Sequence, residues 1–186
     1  STLVTLMAAV AAVEAVTSST GFTPTIKWPN DLIVERGRTP ASGQWERRKL
    51  GGILAEGALS DGALQQVVVG IGINVAPGAY PAEVAGIATN LEAEVGRPVD
   101  GFAVFAACRA ALAREAEALF AGGADDLLRR WRAHAPSAVG GRVAWMDGSH
   151  KATGVTAGLS AAGALIVEPD LGGAPVHLVA GEVEWA

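Results

Sequence analysis

The sequence predicts an α+β fold that ends in a small β-barrel, and three observations support this prediction. The chain opens with an apolar segment of helix length, continues with apolar runs of strand length, and changes after Gly140 to short strands separated by turns. Its 186 residues are 50% hydrophobic and 18% charged, which is typical of a globular protein and excludes a disordered one. The net charge of -5 argues against a general nucleic-acid-binding protein, whose surface would be basic.

Residues 3–16 form the first predicted helix. The segment contains a single charged residue, Glu14, so its composition suits a helix that is buried on most sides. It lacks the basic residues that open a secretory signal, and polar residues 17–20 end it short of the roughly 20 apolar residues that cross a membrane. We therefore expect a core helix and a cytoplasmic protein.

Two short extended segments follow this helix. Residues 25–28 are kept out of a helix by Pro24 and Pro29, and residues 32–34 have the composition of a strand. The stretch 35–48 combines glycine, proline and serine with four arginines, so we expect a surface loop there.

Apolar runs at residues 50–58 and 64–75 have the length and composition of strands. They are separated by Ser60-Asp61-Gly62, and Asp-Gly between two such runs predicts a β-hairpin. A loop rich in proline and glycine follows at residues 76–81.

Two helices are predicted in the second half of the chain. The longer one covers residues 102–120, and the shorter one covers residues 125–134 and stops before Pro136. The spacing of the apolar residues in the longer helix predicts a face that packs on the core, with members at positions 102, 105, 112, 116, 119 and 120.

Short strands separated by turns dominate the chain after residue 140. This spacing over about 47 residues predicts a small β-barrel rather than an extension of the first sheet. We therefore place a domain boundary near residue 138, which divides the chain into residues 1–137 and 138–186. The predicted strands are residues 142–146, 151–159, 164–168 and 175–179.

Cysteine and histidine do not form a recognisable catalytic or metal site. Cys108 is the single cysteine, which excludes an internal disulfide, and the three histidines lack the spacing of zinc ligands. The sequence also lacks a G-x-S-x-G nucleophile elbow and a Walker phosphate loop. We expect a metal-independent scaffold in a reducing compartment, with His134, His150 and His177 non-catalytic.

The first polar cluster is Lys27-Trp28-Pro29-Asn30-Asp31, which stands beside otherwise apolar strands. Proline fixes the backbone between a cation and an amide–carboxylate pair, so Lys27, Asn30 and Asp31 can face a common cavity while Trp28 packs beneath them. The alternative is that Asn30 and Asp31 form only a turn that bonds its own backbone.

The second cluster is Lys49-Leu50-Gly51-Gly52-Ile53-Leu54. A lysine opens the strand, and the two glycines remove the side chains that would keep a ligand away from the backbone. An ammonium group beside bare peptide groups suits a carboxylate or a phosphate. The alternative is a β-bulge with a solvated lysine.

Cationic residues are concentrated just before this cluster. Five of the 14 lie in one short stretch, which is either a solvated loop or a surface that attracts an anionic nucleotide. These residues are Arg36, Arg38, Arg47, Arg48 and Lys49.

The third cluster is Gly70-Ile71-Gly72-Ile73-Asn74-Val75. A dinucleotide-binding fingerprint would need a third glycine where Val75 stands and a helix after it, so that interpretation is excluded. The glycines permit close approach of a ligand to the backbone. Asn74 is either an amide that reads a base or a strand terminator.

The motifs KWPND, KLGGIL and GIGINV, the ATNL of residues 88–91 and the terminal GEVEW follow one another along the chain. Together they resemble the biotin-protein ligases over essentially the whole sequence. The resemblance implies a mixed sheet flanked by helices, related to class II aminoacyl-tRNA synthetase cores, with a C-terminal SH3-like β-barrel.

The resemblance also implies an activity, that of an ATP-dependent biotin-[acetyl-CoA-carboxylase] ligase. Such an enzyme makes biotinyl-5'-AMP from biotin and ATP with Mg²⁺ and passes biotin to a lysine of the biotin carrier domain of a carboxylase. The resemblance gives no indication of a nucleic acid or a membrane as a partner.

The family motifs assign roles to particular residues of this sequence. Lys49 matches the lysine that faces the biotin carboxylate and the α-phosphate, and with Lys27 it forms the expected catalytic pair. Asn30 and Asp31 match residues near the phosphates, and Asp31 is the expected Mg²⁺ ligand. The remaining expected binding residues, for biotin or for the nucleotide, are Trp28, Gly51, Gly52, Ile53, Gly72, Asn74 and Glu182.

One departure from the family pattern keeps several alternatives open. The family has a glycine/arginine-rich loop and the first strands of the sheet before the helix that opens this sequence, and neither precedes Ser1. The chain is therefore a fragment, a short protein that completes its sheet from another chain, as in a homodimer, or a relic that does not make the adenylate. The alternative function is a non-catalytic module that binds biotin or the carrier. Lipoate ligases share the fold but not KWPND.

Overall fold

The structure, a computed structural model, describes residues 2–38, 45–60, 63–78, 80, 82–179, 181 and 183–185. Within them, two antiparallel sheets pack with five α-helices, which confirms the predicted α+β class. The first sheet has the order β1-β2-β3-β4, with a parallel bridge from Lys49 to Ala88 at its side, and the second has the order β8-β7-β6-β5-β9.

The predicted first helix is present as α1, Thr2–Thr20. Eleven of its residues are buried, from Leu6 to Thr20, because other elements cover it on nearly every side. By length and composition it is apolar enough to cross a membrane, but here α4, α5 and the first sheet pack against it. The absence of a polar face in its sequence thus reflects a position in the centre of the core.

Strands β1, Thr25–Lys27, and β2, Asp31–Arg38, form one side of the first sheet. β3, Trp45–Ser60, pairs with β2 along Glu35–Arg47 and Arg36–Glu46. The surface loop expected at residues 35–48 is therefore too long, since both strands extend into it. Cross-strand pairs of opposite charge stabilise such an extension. The middle of that loop, residues 39–44, lies outside the described residues.

The predicted hairpin is confirmed by β3 and β4, Ala63–Ile73, which pair from Ser60–Ala63 down to Gly51–Ile73. The turn residues Asp61 and Gly62 lie outside the described residues. No described strand pairs with the outer edge of β4.

Four helices follow β4. Two of them were not predicted from the sequence, the short α2, Ala82–Ala85, and α3, Leu91–Val95. Asn90 caps α3 by accepting from the Ala93 N–H, and Gly96 ends it with a φ of 70°. The predicted pair is present as α4, Gly101–Phe120, and α5, Ala124–His134.

Helix α4 does not bury the whole apolar face that its spacing predicts. Phe102, Phe105 and Phe120 are 85%, 67% and 81% exposed. Val104, Ala111 and Glu115 of α4 are buried, and Leu112, Ala116 and Leu119 of the predicted face pack against the core. The prediction was therefore wrong for the three phenylalanines and correct for the other three positions.

The second sheet follows a short 3-10 helix, Pro136–Ala138, and confirms the four predicted strands. Its order as an open five-stranded sheet is compatible with the predicted SH3-like barrel, and the two-residue β9 was not predicted. Apolar residues of this sheet, among them Trp145 and Leu165, join the same buried cluster as α1. The strands are β5 (Val139–Asp147), β6 (His150–Leu159), β7 (Leu165–Pro169), β8 (Val176–Leu178) and β9 (Glu184–Trp185).

Candidate functional site

A cleft of about 550 Å³ lies between the first sheet and the C-terminal segment. It brings together the first two polar clusters of the sequence, which are separated by about 20 residues along the chain. Its lining residues are Lys27, Trp28, Pro29, Asn30, Asp31, Lys49, Gly181, Val183 and Glu184.

Three charged side chains form the centre of this cleft. Asp31 Oδ1 lies 2.5 Å from Lys49 Nζ, and Asp31 Oδ2 lies 3.5 Å from Lys27 Nζ. The side chains of Lys49, Lys27 and Asp31 are 45%, 29% and 18% exposed. Two ammonium groups around one carboxylate give these three side chains an excess positive charge, which attracts an anion. Glu184 also lines the cleft, but its carboxylate is paired with Lys151 at 2.5 Å.

The segment that carries Asn30 and Asp31 is fixed on both sides. Trp28, 1% exposed, is joined to Pro29 by a cis peptide bond, and its Nε1 donates to the carbonyl of Gly163, in the turn between β6 and β7, at 3.2 Å. Asn30 Nδ2 donates to the Ile53 carbonyl at 2.8 Å, and the Ile53 N–H donates to the Asn30 carbonyl, also at 2.8 Å. Asn30 is therefore bonded to β3, not only to its own turn.

Lys49 sits at an irregularity in β3. The register with β2 passes from Ile33–Lys49 to Leu32–Gly51, so Leu50 is an extra residue of a bulge. The Lys49 N–H donates to the Ile87 carbonyl at 2.6 Å, and the Lys49 carbonyl accepts from the Thr89 N–H at 2.9 Å. The bulge of the alternative interpretation is thus present, but the ammonium group is paired with Asp31 and not simply solvated.

The two glycines after Lys49 have different surroundings. A Cβ on Gly51 would collide with the Gly72 carbonyl oxygen and lie 3.2 Å from the Ile73 Cα. A Cβ on Gly52 would lie 3.6 Å from both Asp31 Oδ1 and Lys49 Cε, which is ordinary contact distance. Gly51 is required by strand packing, whereas Gly52 leaves space beside the charged cluster.

Ile53 and the third sequence cluster lie outside this cleft. Ile53 is 2% exposed, so its side chain belongs to the core and its backbone serves to hold Asn30. Asn74 Nδ2 donates to the Thr89 carbonyl at 3.0 Å, and Gly72 is exposed on β4. In this structure the Asn74 amide holds the segment behind Lys49. Glu182 lies outside the described residues, although Gly181 and Val183 on either side of it line the cleft.

A smaller cavity of about 190 Å³ adjoins the cleft and shares Lys27, Asp31 and Lys49 with it. Arg47 and Trp185 also line it, and the Arg47 guanidinium carbon lies 5.9 Å from the centre of the Trp185 ring, within cation–π range. The sequence analysis did not select either residue as a site residue. The concentration of cations near residue 47 pointed towards Arg47, and Trp185 belongs to the terminal GEVEW motif, of which only Glu182 was given a role.

Two apolar cavities of about 370 and 420 Å³ run between β4 and α4, away from the charged cluster. Cys108 lines the first of them, and burial raises the pKa of its thiol above the ordinary value. A raised thiol pKa disfavours the thiolate, so Cys108 is not an activated nucleophile.

Carboxylate ligands for a metal are few at this site. Among the described residues no group of three histidine, cysteine, aspartate or glutamate side chains could hold an ion. Mg²⁺ usually takes only one or two carboxylates and completes its shell with phosphates and water. Asp31 is therefore sufficient as the protein ligand of a magnesium that arrives with a nucleotide.

A sequence model of the biotin/lipoate A/B protein ligase family matches residues 2–74. The bifunctional ligase/repressor BirA of Bacillus subtilis (strain 168) is 36% identical over 98 residues, which are 52% of this chain and 27% of that protein. The biotin--[acetyl-CoA-carboxylase] ligase of Paracoccus denitrificans is 30% identical over 156 residues, which are 79% of this chain and 58% of that protein. The chain thus spans from about a quarter to somewhat over half the length of these relatives.

Solved structures give the same fold. The crystal structure of biotin protein ligase from Aquifex aeolicus has a TM-score of 0.77 and 24% sequence identity, and the similarity covers 100% of this chain and 74% of that one. The complex of the same ligase with biotin and ATP also has a TM-score of 0.77 at 24% identity, over 100% of this chain and 71% of that one.

Proposed function

Because this chain belongs to the biotin-protein ligase family, we propose that it acts in ATP-dependent biotin ligation. In the proposed reaction biotin and ATP form biotinyl-5'-AMP, and biotin then passes to a lysine of the biotin carrier domain of a carboxylase. The observation that carries this proposal is the cleft in which Lys27 and Lys49 surround the single carboxylate of Asp31.

The first step needs two anions to meet. A carboxylate oxygen of biotin attacks the α-phosphorus of ATP, a C–O–P bond forms, and the bond to the pyrophosphate leaving group breaks. Fixed cations aimed at the oxygens on which charge builds lower the barrier of such a step. We propose Lys49 as the group that contacts the biotin carboxylate and the α-phosphate, and Lys27 as the second cation beside it.

The second step needs positioning more than further catalytic groups. The carrier lysine, as a neutral amine, attacks the acyl carbon of the adenylate; an amide bond forms and AMP leaves with the electron pair. No protein nucleophile takes part, which agrees with the half-buried Cys108, whose thiol pKa is raised by burial. Shielding the mixed anhydride from water is the remaining requirement.

Mg²⁺ is part of the proposal as a partner of the phosphates. Bound there it would neutralise phosphate charge, and Asp31 is the described residue proposed to contact it. For Asp31 to do so, its lysine partners must turn towards the phosphates.

We assign the other residues according to their surroundings. Trp28 forms the floor of the cleft, Asn30 and Gly52 its wall beside the phosphates and biotin, and Gly51 and Ile53 the backbone that holds this wall. Gly72 and Asn74 are proposed for the adenylate side, with Asn74 acting through the segment that it bonds. Glu182 is proposed for the nucleotide end, since Gly181 and Val183 next to it line the cleft.

We also propose how the protein is divided into domains and where it is located. We propose a ligase domain over residues 1–137, a C-terminal SH3-like barrel over residues 138–186, and a cytoplasmic location. The alternative is a module that binds biotin or the carrier without catalysis.

Biotin-dependent exchange of labelled pyrophosphate into ATP tests the first step, and labelling of a carrier domain tests the second. We expect both with Mg²⁺ and both to be lost without biotin. Binding of biotin without exchange would support the non-catalytic alternative. If the chain neither binds biotin nor exchanges pyrophosphate, the result contradicts the proposal.

A further inference from the structure

The backbone of Lys49 depends on a segment outside the sheet. Its N–H and its carbonyl bond Ile87 and Thr89, at 2.6 and 2.9 Å, and not the neighbouring strand β2. β4 pairs with β3 only as far as Gly51, and residues 87–89 occupy the adjacent position next to Lys49 through a parallel bridge at Ala88. The direction of the Lys49 side chain is therefore set by the position of residues 87–89.

A buried carboxylate holds that segment in place. The Thr89 hydroxyl donates to Glu94 Oε1 at 2.5 Å, and Arg36 Nη2 donates to both carboxylate oxygens of Glu94 at 2.9 Å. The Glu94 side chain is only 5% exposed, whereas that of Arg36 is 49% exposed. A carboxylate buried to this degree needs its partners, since an unpaired one is costly.

Strand β4 holds the same segment from the other side. Asn74 Nδ2 donates to the Thr89 carbonyl at 3.0 Å, and the Asn74 carbonyl accepts from the Leu91 N–H at 2.9 Å. Thr89 is 5% exposed and is thus bonded through its hydroxyl, its carbonyl and its N–H at once. Thr89 is thus bonded to Lys49 of β3, to Asn74 just after β4 and, through Glu94, to Arg36 of β2.

We infer that Arg36, Glu94 and Thr89 form a latch that positions Lys49 in the cleft. Its role in catalysis rests on the proposed function, while its role in fixing Lys49 does not. The three are positioning residues, because none of them lines the cleft.

The ion pair with Asp31 does not remove the need for such a latch. The Lys49 side chain is 45% exposed, and an exposed ion pair holds a flexible lysine only weakly. Reaction geometry is lost by displacements of about 1 Å. A backbone clamp next to Lys49 supplies the order that the ion pair lacks.

Lysine modification measures the latch without any enzymatic assay. The chain has three lysines, Lys27, Lys49 and Lys151, so the rate of acetylation by an activated acetate ester can be followed at each by mass spectrometry. Lys151 on the second sheet, 55% exposed, serves as the internal reference. The variants are Thr89→Val, Glu94→Gln and Arg36→Ala, with Arg36→Lys as the conservative change.

We expect the ratio of Lys49 to Lys151 modification to rise roughly fivefold to tenfold in the first three variants, the scale of one lost hydrogen bond of ordinary strength. Arg36→Lys should restore most of the wild-type ratio. Arg48→Ala is the matched control, since Arg48 lies next to Lys49 but pairs with Glu46 on the exposed side, at 3.0 Å. An unchanged ratio in variants that stay folded by circular dichroism would overturn the latch. If Glu94→Gln does not fold, the exposed change Arg36→Ala decides.

Kinetics then separate the latch from the proposed function. We expect kcat for adenylate formation to fall about tenfold, with KM for biotin and ATP changed less than twofold, since the latch acts on the reacting geometry and not on binding. A raised Lys49 ratio with unchanged kcat would overturn the catalytic role. A raised ratio in a chain whose wild type makes no adenylate would support the latch and contradict the proposed function.

Discussion

Two ionic clusters in this molecule use the same kinds of side chain in opposite ways. The helix cluster is closed: Arg130 of α5 bonds Glu14 at 2.9 Å, Glu115 at 2.9 and 2.6 Å, and Asp126 at 2.7 Å. The cleft cluster is open and has two ammonium groups for one carboxylate, beside a cavity of about 550 Å³.

The difference lies in charge balance and burial. The helix cluster sets three carboxylates against Arg114, Arg129 and Arg130, and the Glu115 side chain is only 4% exposed. Its charges satisfy one another, so it serves to join α1, α4 and α5. The cleft cluster keeps a positive excess that is open to an anionic ligand. We conclude that balanced, buried charge marks structure here and that unbalanced, open charge marks the site.

The largest effect should follow from opening the helix cluster. Arg130→Ala removes the main partners of the buried Glu115, and breaking a buried pair in this way costs about 3 kcal/mol of unfolding free energy. The Glu115 hydrogen bonds raise the pKa of Arg130, which shows how closely the two are paired. Urea denaturation followed by circular dichroism measures the loss.

Arg129→Ala is the control for this change. Arg129 also pairs with Asp126, but its side chain is 72% exposed, and such pairs contribute about 0.5 kcal/mol or less. Equal losses in the two variants would contradict the distinction between the closed cluster and the surface.

The cleft cluster should behave in the opposite way. Lys49→Ala removes a charge-assisted contact of about 1.5 to 3 kcal/mol to the reacting groups, so adenylate formation should slow roughly 10 to 100-fold. Its unfolding free energy should change by less than about 0.5 kcal/mol, since Lys49 is 45% exposed. Pyrophosphate exchange and urea denaturation on the same preparation give both values.

Lys151→Ala controls for the loss of one lysine, because Lys151 itself does not line the cleft, although its partner Glu184 does. It should leave both the exchange rate and the stability near wild type. Exchange at the wild-type rate in Lys49→Ala would remove Lys49 from the mechanism and leave the cleft without its main argument.

Gly51 and Gly52 are adjacent residues that show the same contrast between a structural role and a role in the cleft. Gly51→Ala places a methyl group against the Gly72 carbonyl and should destabilise the sheet by about 1 to 3 kcal/mol. Gly52→Ala fits at 3.6 Å from Asp31 and Lys49 and should leave stability nearly intact while it reduces the space for a ligand. Thermal unfolding and biotin titration distinguish the two. Stability lost equally in both would show that neither glycine serves the cleft.

Local patterns predicted the elements of this fold where a single segment decides the outcome. The composition of α1 and the Asp-Gly hairpin between β3 and β4 are of this kind. Strands β2 and β3 extend further than predicted because Glu35 and Arg47, twelve residues apart, stabilise each other across the sheet at 2.8 Å. Such a pair is not visible in the composition of either segment.

The sequence motifs predicted the three charged residues of the cleft cluster but not the contacts around them. The motifs selected Lys27, Asp31 and Lys49, and the structure brings these three together. The spacing of the motifs did not predict that the Asn74 amide bonds the Thr89 carbonyl or that Glu94 bonds the Thr89 hydroxyl. Both contacts depend on where residues 87–91 pack. Tertiary packing decides such contacts.

The smallest effect is expected from a third cluster, which is balanced like the helix cluster but exposed. In the second sheet Thr153 Oγ1 and Arg142 Nη2 donate to Asp170 Oδ2 at 2.6 and 2.5 Å, and these bonds hold the pKa of Asp170 below its ordinary value of 3.8. Its contribution to stability is therefore complete above pH 3.8 and is lost as the pH falls through the lower pKa of the folded state.

Asp170→Asn should lower the urea midpoint slightly at pH 7, and the difference from wild type should vanish at the acid end of the range. Asp147→Asn, on the same sheet, controls for the change in net charge. A difference as large as that of Arg130→Ala would show that balance alone, without burial, is enough to make a charge cluster structural.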